Sequence, residues 1–184
     1  MPHRVFIGVG SNLGDRRANV AEALTRMAEI PESRVARTSS LYESEPHGTA
    51  KNLFVNMVVE IETDLSAVDL LARLNDIEEQ LGRKRSKAKP AKAAPAAKGK
   101  SAAKAPVKKD VSRTIDLDIL FFNTEVVNTP KLRVPHPEVP RRRFVLMPLA
   151  EVAPQLVHPE SGQTVSKMLA TTEDRKRVVL MPPR

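Results

Sequence analysis

The run R-T-I-D-L-D-I-L, from Arg113 to Leu120, constrains this chain more than any other stretch. Ile115, Leu117, Ile119 and Leu120 are apolar and partly β-branched, which predicts a strand. Side chains alternate across a strand, so Asp116 and Asp118 point the same way, roughly 6–7 Å apart along the backbone. The apolar residues between them then face a core. Carboxylates on one face of a buried strand are costly unless cations meet them. Hard oxygen donors at that separation suit one or two Mg²⁺ ions, which usually also hold phosphate oxygens. D-x-D pairs also occur on ordinary solvated strands, so these residues alone leave both readings open.

The net charge of +8 points toward nucleic acid at first sight. Segment 86–111, however, holds eight lysines and one acid, Asp110, for a net +7. Without it the rest of the chain carries +1, close to neutral. The same segment is almost all Lys, Ala and Pro, with no Leu, Ile, Phe or Met. It cannot bury enough apolar surface to offset its ordering entropy, and Pro90, Pro95, Gly99 and Pro106 interrupt any long helix. A disordered insert is expected at 86–111 within one domain spanning 1–184. The absence of cysteine excludes disulfides, thiolate chemistry and Cys-based zinc sites. No apolar run reaches the roughly 18–20 residues of a membrane span. With no signal-peptide pattern at the N-terminus, a cytoplasmic protein is expected.

Along the chain, Val5 to Val9 predicts a first strand, G-S-N-L-G (Gly10 to Gly14) a turn, and 15–30 an amphipathic helix. That helix buries Val20, Ala23, Leu24 and Met27, and Asp15 suits its positive N-terminal end. Residues 34–45 predict a second strand and Leu53 to Ile61 a third. Ser66 and Asp69 form a capping-box pattern for a helix with Leu70, Leu74, Ile77 and Leu81 on its buried stripe, stopped by Gly82. After the aspartate strand, a short strand at Leu132 to Val134, a rigid V-P-H-P turn, a helix from Arg141 to Glu151 and a strand at Val178 to Met181 are predicted. Helices do not alternate regularly with strands, so an α+β fold with a mostly antiparallel sheet is expected.

Several pieces point together to one family. They are I-G-V-G-S-N-L-G-D, S-S-L-Y-E-S-E-P-H-G, F-V-N, L-G-R-K-R, R-T-I-D-L-D-I-L, V-P-H-P and R-R-F-V-L-M-P-L-A-E-V-A-P, in order from residue 5 to about 154. The chain resembles the 6-hydroxymethyl-7,8-dihydropterin pyrophosphokinases of folate biosynthesis. The resemblance implies a three-layer α/β/α arrangement with a ferredoxin-like core. It implies transfer of the β,γ-diphosphate of ATP to the hydroxymethyl group of the dihydropterin, with release of AMP.

By the same resemblance, Asp116 and Asp118 hold two Mg²⁺ ions. Arg83, Arg113 and Arg142 stabilise the transferring phosphates. Asn75, Glu78, Arg85, Ile119 (through its backbone), Lys131, Arg133 and His136 border ATP. Ser44, Glu45, Phe54, Asn56 and Phe144 hold the pterin, and Phe54 and Asn56 at i, i+2 share a strand face. Asn12 reads as a turn stabiliser supporting the site. His47 stands where the family commonly has an aliphatic residue. The expected partners are ATP and the hydroxymethyl dihydropterin, with no membrane and no nucleic acid, acting on a monomer.

The chain departs from the family between Arg85 and Arg113. The family has a short mobile loop there that closes over the substrates, in some members with a tryptophan that this chain lacks. Here the loop is roughly twenty residues longer, and tripling its length costs only about 1 kcal/mol in closure entropy. Closure is therefore expected to survive. A polyanion-binding role for the lysines, on a non-catalytic relative of the fold, is the alternative reading.

Overall fold

A computed structural model describes residues 1–48, 50–82 and 113–183. The 86–111 segment, Arg83 and Arg85 lie outside the described residues.

The chain begins with β1 (His3–Ser11), whose Val5, Ile7 and Val9 face one side while Phe6, Gly8 and Gly10 face the other. Helix α1 (Arg16–Ala28) follows. Asp15 caps it by accepting the Ala18 backbone N–H, so it does more than complement the helix dipole. The single strand expected at 34–45 is two strands, β2 (Ser33–Thr38) and β3 (Tyr42–Ser44). The cause is hydrogen-bond competition at Ser39 and Ser40 from partners distant in the chain. Ser39 Oγ accepts from the Val58 N–H, and the Ser40 N–H and hydroxyl both turn to Glu151. Tyr42 donates to the same carboxylate, and burial together with Glu151 pushes its phenol up to about 12.

Strand β4 (Phe54–Thr63) is the third predicted strand, two residues longer at its end. Helix α2 (Ala67–Gln80) starts at Ser66, which accepts from the Asp69 N–H. It ends before Gly82, whose φ of +94° favours glycine. The aspartate strand is β5 (Asp116–Phe122). A small ribbon follows, β6 (Val127–Asn128) against β7 (Arg133–Val134), with a cis Val134–Pro135 bond after it. The helix expected from Arg141 begins later. A 3₁₀ turn at Val139–Arg141, holding Pro140, precedes α3 (Arg143–Val152). Helix α4 (Val165–Thr171) was not predicted, because seven residues carry too little periodicity. Strand β8 (Val178–Leu180) closes the chain.

The main sheet runs β5-β1-β4-β3-β8, with β2 also on β4, and every strand pair is antiparallel. Taken as β1-α1-β2-β4-α2-β5, the N-terminal part is a ferredoxin-like unit with strand order β5-β1-β4-β2. Helices α1 and α2 cover one face. Val20, Met27, Leu70 and Leu74 pack there on Val5, Ile7, Val59 and Leu117. Helices α3 and α4 cover the other, where Leu146, Leu149 and Met168 meet Phe6, Val58 and Phe121. Each such fully buried side chain contributes about 1.5–3 kcal/mol. The result is three layers, α/β/α. A bulge between Phe6 and Ile7 in the β1–β5 pairing lets Leu120 and Phe121 both face the α3–α4 layer.

Candidate active site

The sheet face under α3 and α4 is filled at the Phe6 end and open at the Gly10 end. Register explains the opening. Gly10 pairs with Asp116 on one side and Asn56 on the other, and Gly8 pairs with Asp118 and Val58. Asp116, Gly10 and Asn56 therefore form a row across three strands. The outer two strands of that row lie roughly 9–10 Å apart, two strand spacings. Glycine in the middle leaves the space between acid and amide open. A Cβ at Gly10 would sit 3.4 Å from Asn56 Oδ1 and 3.7 Å from the Phe54 ring.

Asp116 and Asp118 both line this cavity, as their spacing predicts, while Leu117 and Ile119 point into the α1–α2 core. Arg113 Nη1 lies 2.6 Å from Asp116 Oδ2. Burial alone would lower the Arg113 pKa, but Asp116, with Asp118 and Glu78 behind it, raises it above the ordinary value. Arg113 thus senses a concentration of negative charge. Among the described residues no group of three or more His, Cys, Asp or Glu forms a ready cage. A pair of carboxylates on an open floor instead fits Mg²⁺, which takes one or two protein carboxylates and completes its shell with phosphate oxygens and water.

Arg113 is held in place from afar. Asn12 Oδ1 accepts the Arg113 N–H at 2.6 Å, and the Asn12 N–H donates to the Arg113 carbonyl at 3.1 Å. The supporting role expected of Asn12 is thereby given a partner. Arg142, the residue before α3, and Phe144, in its first turn, also line the cavity. The Arg142 guanidinium lies 5.8 Å from the Phe144 ring centroid. His136 completes this side. Its Nδ1 accepts the Glu138 N–H at 3.2 Å, which leaves Nε2 as the protonated donor.

The five residues expected at the pterin all line the cavity: Ser44, Glu45, Phe54, Asn56 and Phe144. Asn56 Nδ2 donates to Ser44 Oγ at 2.8 Å. That bond fixes the amide, and its Oδ1 faces the space above Gly10. The nucleotide-side residues are less gathered. Asn75, Glu78, Ile119, Lys131 and Arg133 do not line the cavity. Glu78 is only 1 % exposed, and its Oε1 accepts the Leu117 N–H at 2.8 Å, between the two aspartates. Ile119 is buried in the core, with its backbone on β5. Gly8 and Gly10 join the lining without being expected there, and so does His47, which stands at a pterin-side position where the family commonly has an aliphatic residue. Paired glycines inside an apolar strand are a legible signal of close approach. Asp174, which meets His47, stands in a tail with no motif and gave none.

The fold disfavours the protonated form of three histidines. Burial is the main cause at His47, His136 and His158, and each pKa lies below the usual 6.5. Arg142 adds to the lowering at His47 and His136. An unfolded chain takes up these protons near pH 6.5, so it binds more protons than the fold as pH falls through that region. The contribution to stability is present above the unfolded pKa and is lost on acidification. The melting temperature is expected to drop by a few degrees between pH 7.5 and 5.5. Thermal melts followed by circular dichroism at the two pH values check this, and a constant or rising value contradicts it.

Two carboxylates and two guanidinium groups around an open sheet floor are the donor set of an enzyme that handles polyphosphates. Residues 6–154 match the 7,8-dihydro-6-hydroxymethylpterin-pyrophosphokinase (HPPK) family, and the chain belongs to it. Among its relatives is the 2-amino-4-hydroxy-6-hydroxymethyldihydropteridine pyrophosphokinase of Pseudomonas aeruginosa, 37 % identical over 171 residues, 92 % of each chain. The protein of the same name from Bacillus subtilis is 37 % identical over 157 residues, 85 % of this chain and 81 % of that one. A solved HPPK-DHPS structure in complex with substrates shares the fold, with a TM-score of 0.65 over 93 % of this chain at 12 % identity. The chain spans 43 % of the length of that HPPK-DHPS protein. Among the described residues no helix is long and apolar enough to cross a membrane.

Proposed function

We propose that this chain transfers the β,γ-diphosphate of ATP to the hydroxymethyl group of 6-hydroxymethyl-7,8-dihydropterin and releases AMP. One observation carries the reading: the row Asp116–Gly10–Asn56 puts a carboxylate and an amide on either side of one open glycine, which supports a phosphate side at the acid and a pterin side at the amide. A flat polar heterocycle needs aromatic plates and edge partners. Phe54 and Phe144 supply the plates, and Asn56 Oδ1, oriented by Ser44, accepts an N–H from the pterin edge.

Asp116 and Asp118 would hold two Mg²⁺ ions, which neutralise the polyphosphate and act as Lewis acids when bound. Arg113 and Arg142 meet the phosphate oxygens with charge-assisted hydrogen bonds that strengthen as charge develops. His136 donates through Nε2–H on the nucleotide side. The hydroxymethyl oxygen forms its bond to the β-phosphorus as the bond to the α-phosphate oxygen breaks. AMP leaves with that electron pair, and the hydroxyl proton passes to solvent. No side chain is required as a strong base, because positioning and electrostatics carry such transfers. Arg83, with Arg85, belongs to this reading by family resemblance, and so do Asn75, Lys131, Arg133 and the backbone of Ile119 toward ATP. The single domain, the cytoplasmic location and the monomer belong to it as well.

The test is AMP release from ATP by the native chain, measured with and without Mg²⁺ and with and without the hydroxymethyl dihydropterin. Release that needs both is expected. ATP turnover indifferent to the pterin, or none at all, overturns the reading.

A further inference from the structure

The segment after α4 lies beyond the residues that match the family, and it does not line the cavity. It nonetheless grips two cavity walls. Asp174 Oδ2 accepts the Arg143 N–H at 2.8 Å, where α3 begins one residue before Phe144. The same oxygen lies 3.2 Å from His47 Nε2, in the turn after β3. Nε2 is buried and makes no full hydrogen bond among the described residues, so Asp174 meets it as a close charged neighbour. Asp174 Oδ1 accepts the Lys176 N–H at 3.1 Å. Lys176 Nζ reaches the Pro46 carbonyl, and Glu45 exchanges two bonds with the Arg177 backbone.

The Asp174 side chain is 7 % exposed. A carboxylate so placed persists only when its oxygens are bonded. Burial would raise its pKa, but the N–H groups of Arg143 and Lys176 and the His47 ring outweigh burial and hold it below the carboxylate norm. The acid therefore stays charged while it joins the two walls. In the cavity between these two walls the His47 and Phe144 rings lie 5.3 Å apart, tilted by 51°.

We propose that Asp174 is a positioning residue for the pterin, fixing His47 against Phe144 so that imidazole and phenyl form one wall. The inference rests on the pterin reading above. Asp174 touches neither substrate, and its effect passes through His47 and the start of α3. The wall serves the pterin, so loss of Asp174 weakens pterin binding selectively.

The experiment titrates 6-hydroxymethylpterin by its own fluorescence, with Mg²⁺ and α,β-methylene ATP present, and titrates the nucleotide analogue separately. The native chain, Asp174→Ala, His47→Ala and the double variant are compared, each with a thermal melt. Both single variants are expected to weaken pterin binding about tenfold and nucleotide binding less than about twofold. The double variant is expected to lose no more than either single one, since contacting residues that act as a unit are not additive. Native pterin affinity in either single variant overturns the inference, as do additive losses or equal weakening of both ligands. Should Asp174→Ala fail to fold, His47→Ala decides by the same tenfold criterion. A native chain that binds the nucleotide and no pterin overturns the functional reading, and this inference with it.

Discussion

Asp116→Ala and Asp118→Ala are each expected to lower AMP release by about a thousandfold or more, some 4 kcal/mol of barrier, while the protein stays folded. Both side chains are half-buried on the cavity side of β5, and the strand's grip on the core comes from Leu117, Ile119 and Leu120. Neither truncation opens the core, so the melting temperature is expected to shift by no more than a few degrees. The two variants differ at Arg113. Losing Asp116 removes the 2.6 Å partner of the guanidinium, whereas losing Asp118 leaves that pair in place. A coupled assay for AMP and a denaturation melt on each variant check both halves. Activity within tenfold of native in either variant removes the basis for a metal-holding pair.

The second large effect is on stability. Glu78→Ala is expected to cost about 2–3 kcal/mol, because it strands the buried Leu117 N–H and leaves a gap between α2 and β5. Glu78→Gln keeps an acceptor oxygen at the same place and is expected to recover most of the loss. Turnover of the alanine variant should fall further than its folded fraction, since Leu117 spaces the two aspartates. Urea titration of the three proteins gives the energies. An alanine variant within about 0.5 kcal/mol of native contradicts a bracing role.

Much of this was open to reading in one dimension. Alternation in R-T-I-D-L-D-I-L put both acids on one side, and β5 carries them so. Ser66 with Asp69, and Gly82, marked the ends of α2 to within a residue or two. Phe54 and Asn56 share a face of β4 because a strand repeats every second residue. Where competition came from afar, the reading slipped. The split of 34–45 depends on Glu151 taking the Ser40 N–H, over a separation of 111 residues. A helix face alone did not reveal that Glu78 turns inward to the β5 backbone.

The residues by themselves determined strand and helix periods, their caps, and the chemical kind of each group in the site. Those follow from local geometry, which a few neighbouring residues set. Only the folded arrangement decided that Gly10 lies between Asp116 and Asn56, that Asn12 holds Arg113, and that Asp174 reaches both His47 and the start of α3. Cross-strand register and long-range contacts depend on which faces are buried together, and that is a property of the whole packed chain.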